Sequence, residues 1–89
     1  MGKIILTVKI FPKEADTDLE LLKQKVTNSL PASASVHAFS EEPIAFGLKA
    51  LIATIVLPEE GFGDLEAVEE SIRKIDYVSE IETVMVRRV

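Results

Sequence analysis

Two segments of the chain carry the same alternation of apolar and polar residues. In the first, every second residue across positions 4–10 is apolar, and Pro12 follows. In the second, the alternation covers positions 51–57, and Pro58 follows. A period of two is typical of a strand with one buried face, and proline lacks the amide that the interior of a sheet requires. Each segment is therefore predicted to be a strand that ends at its proline.

A helical pattern follows each of these strands. Thr17 and Glu20 have the spacing of a capping box, which predicts a helix start, and Pro31 predicts its end. The predicted helices place apolar residues at steps of three and four, at Leu19, Leu22, Val26 and Leu30 in the first half and at Leu65, Val68, Ile72 and Ile75 in the second.

The two halves also match letter by letter, because Pro-x-Glu and then Asp-Leu-Glu begin at both Pro12 and Pro58. Two similar β-α-β halves indicate a ferredoxin-like α+β sandwich in the order β-α-β-β-α-β, a four-stranded antiparallel sheet with two helices on one face. Segments 33–40 and 78–89 supply the other strands, and their polarity suits sheet edges, which predicts the order 4-1-3-2. At 89 residues, the chain is predicted to form one domain over 1–89.

The face of the sheet without helices is expected to be open and to invite a partner. The alternation assigns it Ile5, Thr7, Phe11, His37 and Phe39. In the final strand the apolar residues do not keep to every second position. Ile81 and Met85 have odd numbers, whereas Val84 and Val86 have even numbers. That irregularity indicates either a bulge or a strand with apolar residues on both faces.

Composition excludes several classes of protein. There is no cysteine, which excludes disulfides and thiolate metal sites, and the formal charge of −5 disfavours nucleic-acid binding over the whole surface. No apolar run is long enough to cross a membrane, so we expect a location in the cytoplasm. His37 has no second histidine beside it, and no nucleophile arrangement is evident, so we expect no enzyme activity, no cofactor and no metal.

Two polar features have ordinary interpretations. Gly61-Phe62-Gly63-Asp64 precedes the second helix and could hold an anion, but it lacks the lysine and spacing of a P-loop, so a turn capped by Asp64 or Gly63 is favoured. The acidic pairs Glu41-Glu42, Glu59-Glu60 and Glu69-Glu70 are interpreted as a solvated acidic surface.

Two further segments remain, residues 43–49 between the middle strands and Arg87-Arg88-Val89. From composition alone, the simpler interpretation makes Phe46 a core residue at the end of the sheet and the arginines a solvated tail.

Residues 42–51, with the sequence EPIAFGLKAL, closely resemble the segment that marks the guanine-nucleotide-exchange domain of translation elongation factor 1-beta. The resemblance extends over the whole chain, and the compact length resembles the archaeal form. It implies a ferredoxin-like fold and one partner, the GTPase elongation factor 1-alpha, whose GDP must leave before GTP binds. It implies no direct contact with nucleic acid or membrane.

The resemblance also implies which residues bind the partner. In that family the aromatic residue of the loop docks into the GTPase, and Phe46 matches it. A basic residue reaches toward the magnesium and phosphate region of the nucleotide site, and Arg88 matches it, where the eukaryotic pattern has lysine. The implied contact set is Pro43, Ile44, Phe46, Gly47, Lys49, Arg87, Arg88 and Val89. The alternatives are an RNA-binding module and a regulatory domain for a small ligand, since this fold hosts both.

Overall fold

The computed structural model describes residues 2–58 and 64–89. Its elements are β1 (Lys3–Pro12), α1 (Leu19–Ser29), β2 (Ser35–Pro43), β3 (Lys49–Pro58), α2 (Leu65–Arg73) and β4 (Val78–Arg88). All neighbouring strands are antiparallel, in the order β2-β3-β1-β4. The ferredoxin-like α+β fold and the predicted strand order are both confirmed.

The core lies between the sheet and the two helices. Its fully buried residues are Ile4, Leu6, Val8 and Ile10 on β1, Leu51, Ala53, Ile55 and Leu57 on β3, Leu22 and Val26 on α1, and Val68 and Ile72 on α2. Buried strand positions therefore repeat 47 residues apart, as in Ile4 and Leu51, whereas buried helix positions repeat 46 apart, as in Leu22 and Val68. The first half thus has one more residue between its strand and its helix.

The start of α1 differs by one residue from the prediction. Asp18, not Thr17, is the N-cap, and its Oδ1 accepts hydrogen bonds from the amides of Glu20 at 3.0 Å and Leu21 at 3.4 Å. Thr17 belongs to the preceding turn, where its amide donates to the carbonyl of Glu14. The helix ends at Ser29, before Pro31, as predicted.

An extra residue in β2 reverses the predicted facing of its aromatic side chain. Val36 pairs with Ile55 and Ala38 with Thr54, so His37 is the additional residue of a bulge. After the bulge Phe39 pairs with Ala53 and packs against the core, so its assignment to the open face was wrong. His37 itself is exposed.

β4 has both features that its sequence left as alternatives, a bulge and apolar residues on both faces, with Met85 opposite Thr7 on the open face. Thr7 pairs with Met85 and Val8 with Thr83, so Val84 is the additional residue. The bulge brings both Ile81 and Val86 to the helix face, opposite Ile10 and Leu6. Within 2–58 and 64–89, neither helix has the length and apolarity needed to cross a membrane.

Candidate functional site

A tight turn joins β2 to β3. The Ile44 amide donates to the carbonyl of Leu48 at 2.9 Å, and the Leu48 amide donates to the carbonyl of Ala45 at 2.9 Å. Phe46 and Gly47 are the two central residues of that turn, with φ values of 53° and 79°. Two central residues with positive φ are typical of a type I′ turn, whose twist matches that of the strands it joins.

Phe46 is an unusual residue for this position. The left-handed region suits glycine and asparagine, and a bulky side chain there costs about 1–2 kcal/mol. The Phe46 side chain is also 98% exposed, so the interpretation of Phe46 as a core residue is wrong. The strained backbone costs free energy, and the exposed ring contributes no burial to the fold. Phenylalanine at this position therefore points to a role other than folding stability.

The residues before this turn are ion-paired on both faces of the sheet. Lys9 Nζ lies 2.5 Å from Glu42 Oε2, while Glu41 lies 3.8 Å from Lys23 Nζ and 4.0 Å from Lys49 Nζ. The interpretation of the Glu41-Glu42 pair as a merely solvated surface was therefore incomplete. The hydrogen bond to Glu42 raises the pKa of Lys9 above 10.5, desolvation opposes it, and the charges of Glu42 and Glu82 add to the increase.

The acidic pair Glu69-Glu70 on α2 also makes polar contacts. Glu69 accepts a hydrogen bond from Thr83, and Glu70 Oε1 lies 2.9 Å from Arg73 Nη1. Glu59-Glu60 lies outside the described residues.

The arginine segment is part of the sheet. β4 continues to Arg88, the Val89 amide donates to the carbonyl of Lys3 at 2.8 Å, and the Lys3 amide donates to the carbonyl of Val89 at 2.9 Å. Arg87 pairs with Ile5 on the open face, whereas Arg88 pairs with the buried Ile4 and lies on the helix face. The interpretation as a solvated tail is therefore wrong for the backbone of this segment, which belongs to the sheet.

The structure does not bring Phe46 and Arg88 together. Pro43 pairs with Lys49 at one end of the β2–β3 ladder, whereas the pairs Lys3–Pro58 and Ile4–Arg88 lie at the other end of the sheet. Ten residues of β3 separate the two ends, which corresponds to about 30 Å. The two candidate segments therefore lie at opposite ends of one sheet.

The remaining sequence candidates gain no support as sites. Gly61-Phe62-Gly63 lies outside the described residues, and Asp64 accepts a hydrogen bond from Ser33 at 2.7 Å instead of capping α2 with its side chain. The described parts of the chain contain no group of three His, Cys, Asp or Glu residues placed to hold a metal ion. Of the aromatic residues on the described strands, Phe11 is the one on the open face, fewer than the stacking surface of an RNA-binding module requires.

The sequence did not indicate that Lys9 and Lys23 contact Glu41 and Glu42 at the end of β2. Neither lies near Glu41 or Glu42 in the sequence, so only the strand order and the helix position bring them together. A weak signal existed, since Lys9 is a charged residue on the open face of β1, between Thr7 and Phe11.

Comparison with known proteins places the chain among translation factors. Residues 5–89 match the family model described as the EF-1 guanine nucleotide exchange domain. A protein named elongation factor 1-beta from Methanothermobacter thermautotrophicus is 43% identical over 88 residues, covering 99% of this chain and 98% of that protein. Proteins of the same name from Staphylothermus marinus (38% identical, 100% of this chain and 99% of the relative) and Methanosarcina barkeri (43% identical, 100% of both) are similar throughout.

A solved structure shares the fold alone. The C-terminal domain of the MgtC protein from Mycobacterium tuberculosis superimposes with a TM-score of 0.60 at 13% identity, covering 98% of this chain and 87% of that one. The matches to the exchange-domain model and to the archaeal relatives cover both the turn and the arginine segment. The chain belongs to the EF-1 guanine nucleotide exchange domain family.

Proposed function

We propose that this chain accelerates the release of GDP from the GTPase elongation factor 1-alpha, so that GTP can bind during translation elongation. The supporting observation is the family match over residues 5–89, which includes both candidate contact segments. Such a role requires no covalent chemistry and no cofactor of the chain's own, and it belongs in the cytoplasm, where translation takes place.

Phe46 is the proposed anchor at one end of the sheet. Its ring is 98% exposed on a two-residue turn, so it can enter a pocket of the GTPase without rearrangement of the chain. Burying one phenylalanine side chain contributes about 1.5–3 kcal/mol. Pro43, Ile44, Gly47 and Lys49 flank it along the hairpin, and Ile44 is itself 45% exposed, which extends the apolar surface.

Arg88 is the proposed second contact, at the other end of the sheet. A guanidinium pairs well with carboxylate and phosphate oxygens, the same ligands that magnesium prefers, so Arg88 near the nucleotide would compete with the ion for those ligands but with one positive charge instead of two. Arg87 and Val89 flank it, and the pairing of Val89 with Lys3 holds this segment in the sheet before any partner binds.

Thermodynamic linkage explains why two contacts are needed. If the factor weakens nucleotide binding, the nucleotide weakens factor binding by the same free energy. A thousandfold loss of nucleotide affinity requires about 4 kcal/mol of coupling, more than one buried phenylalanine contributes. We therefore propose that the GTPase is contacted at two places about 30 Å apart, one by Phe46 and one by Arg88.

The test is the release rate of fluorescent GDP from a cognate archaeal elongation factor 1-alpha, with excess unlabelled GDP and with or without this protein. We expect the wild-type chain to accelerate GDP release. In Phe46→Ala and in Arg88→Ala we expect the accelerated release rate to fall by at least about tenfold. Val84→Ala, which shortens another exposed apolar side chain, and Arg73→Ala, which removes an exposed guanidinium from α2, are the matched controls.

Two results would contradict the proposal at different levels. If the wild-type chain left GDP release from an active partner unchanged, the exchange function itself would be wrong, and a regulatory small-ligand module would become the better interpretation. If the wild type accelerated release but neither Phe46→Ala nor Arg88→Ala slowed it, the function would stand and the two contacts would be wrong.

A further inference from the structure

The two residues before the turn are tied to three different elements of the fold. Glu41 and Glu42, here called the hairpin foot, are the last two residues of β2 before Pro43, which ends the strand. Ile44 then leads into the turn that carries Phe46. Because adjacent strand residues point to opposite faces, one carboxylate lies on each face of the sheet. Each one meets a lysine there, and the ion pairs are therefore on both sides of the same strand end.

On the open face, the ion pair crosses a whole strand. Glu42 lies on β2 and Lys9 on β1, with β3 between them, yet Lys9 Nζ and Glu42 Oε2 are 2.5 Å apart. Two strand spacings amount to about 10 Å, so the lysine side chain must extend over β3. Ala50, the register partner of Glu42, is fully buried although it belongs to this face, and its small side chain leaves room for the crossing.

On the helix face, the contacts join the strand end to a helix. Glu41 pairs with the buried Leu51, and its carboxylate lies 3.8 Å from Lys23 Nζ of α1 and 4.0 Å from Lys49 Nζ of β3. Lys23 is held from its own helix by Glu20 at 3.1 Å. Side-chain charges thus link the end of β2 to α1, β1 and β3. These links add to the backbone ladder between β2 and β3.

The position of these contacts suits the presentation of Phe46. β2 is an edge strand with one neighbouring strand, so its end is less constrained than that of a central strand. When a loop or side chain must become ordered on binding, the lost conformational entropy weakens the affinity. A segment that is already ordered in the free protein avoids this cost. We propose that Glu41 and Glu42 are positioning residues that fix the orientation of the turn, and with it Phe46, for contact with the GTPase. This inference rests on the exchange function proposed above.

A first experiment measures the positioning without any partner. Backbone order parameters for the amides of residues 44–48 are compared by NMR relaxation in the wild type, in Glu42→Gln and in Glu41→Gln/Glu42→Gln. We expect values near those of the strands, about 0.85, in the wild type and a fall toward about 0.6 in the double variant. Glu70→Gln, which removes the exposed 2.9 Å pair with Arg73 on α2, is the matched control and should leave these amides unchanged.

A second experiment measures the consequence for exchange. We expect Glu42→Gln to raise the factor concentration that gives half-maximal GDP release by about two- to fivefold, the range for an exposed ion pair, with the maximal rate unchanged. The charge exchange Lys9→Glu/Glu42→Lys should restore the wild-type value. Raising the salt concentration to about 1 M should abolish the difference between the wild type and Glu42→Gln, because it screens the pair.

The outcomes separate this inference from the proposed function. Unchanged order parameters in the double variant, or no recovery in the charge exchange, would show that the ion pairs do not position the turn. Failure of the wild-type chain to accelerate GDP release would overturn the exchange function, while the NMR comparison would still decide whether the hairpin foot orders the turn.

Discussion

Lys3 and Val89 exchange both of their backbone hydrogen bonds, so the residue after Arg88 is paired with the first residue of β1. This pairing places Arg88 at a defined point of the edge strand, opposite Ile4. The proposed nucleotide-side contact is therefore ordered before the GTPase is met, and its entropy of ordering is already lost in the free protein.

Lys3→Pro tests the value of that ordering. Proline removes the amide that donates to the Val89 carbonyl, and the first residue of a strand tolerates it better than an interior position. Losing one such bond costs about 1 kcal/mol, so we expect about a fivefold higher half-saturating concentration of the factor. Amide hydrogen exchange should show faster exchange at Val89. Unchanged protection at Val89 would contradict the expectation.

Phe46→Asn should make the protein more stable and less active. Asparagine tolerates positive φ, and Asn-Gly is the preferred pair in a type I′ turn, so relief of the strain should contribute about 1 kcal/mol. For a domain of this size that corresponds to a rise in Tm of about 4–8 °C. Thermal unfolding and GDP release measured on the same preparation test both effects. A lower Tm would show that phenylalanine supports the fold at this position.

Asp18→Ala should destabilise the protein more than Thr17→Ala. The Asp18 carboxylate accepts from two amides of the first turn of α1, and loss of an N-cap costs about 1 kcal/mol. The Thr17 hydroxyl has no such role in the structure, so its loss should change the free energy of unfolding by less than about 0.5 kcal/mol. Urea unfolding of the two variants distinguishes them, and the reverse order would restore Thr17 as the cap.

The Lys9–Glu42 pair should give the fold an alkaline pH dependence. The pKa of Lys9 is raised above 10.5 in the folded protein, which therefore binds this proton more strongly than the unfolded chain does. The stabilisation is complete below pH 10.5 and is lost as the pH rises through the folded pKa. Between about pH 9 and about pH 12, the free energy of unfolding should fall more steeply in the wild type than in Lys9→Met. Parallel curves of unfolding free energy against pH would show that this pair does not contribute to the stability of the fold.

The central strands could be predicted from the sequence because burial of one face dictates their alternation. Positions 4–10 and 51–57 are apolar at every second residue, and the structure buries those residues. The helical stripes were confirmed for the same reason. The edge strands are more polar, so their pattern could not locate His37 and Val84 as bulge residues, and the facing of Phe39 was predicted wrongly.

The site was less predictable than the fold. The resemblance identified Phe46, but neither its positive φ nor its exposure follows from the letters Phe-Gly, which lack the asparagine that usually marks such a turn. The ion pairs of Glu41 and Glu42 involve Lys9 and Lys23, which lie far away in the sequence. Contacts of this kind depend on strand order and register together, and the sequence pattern specifies register least well at polar edges.

The bulges at His37 and Val84 have a consequence for how copies of this protein behave toward one another. They interrupt β2 and β4, the two strands whose outer backbone groups are unpaired within the sheet, and β4 also exposes three consecutive apolar residues, Val84, Met85 and Val86. A straight, apolar outer strand would be a template for adding the strand of another molecule, and so for fibrous aggregation. The irregular step at Val84 falls within that apolar stretch, so a neighbouring molecule cannot continue the ladder in register along it. The protein can thus expose an apolar margin on an edge strand without offering it as a template for its own assembly.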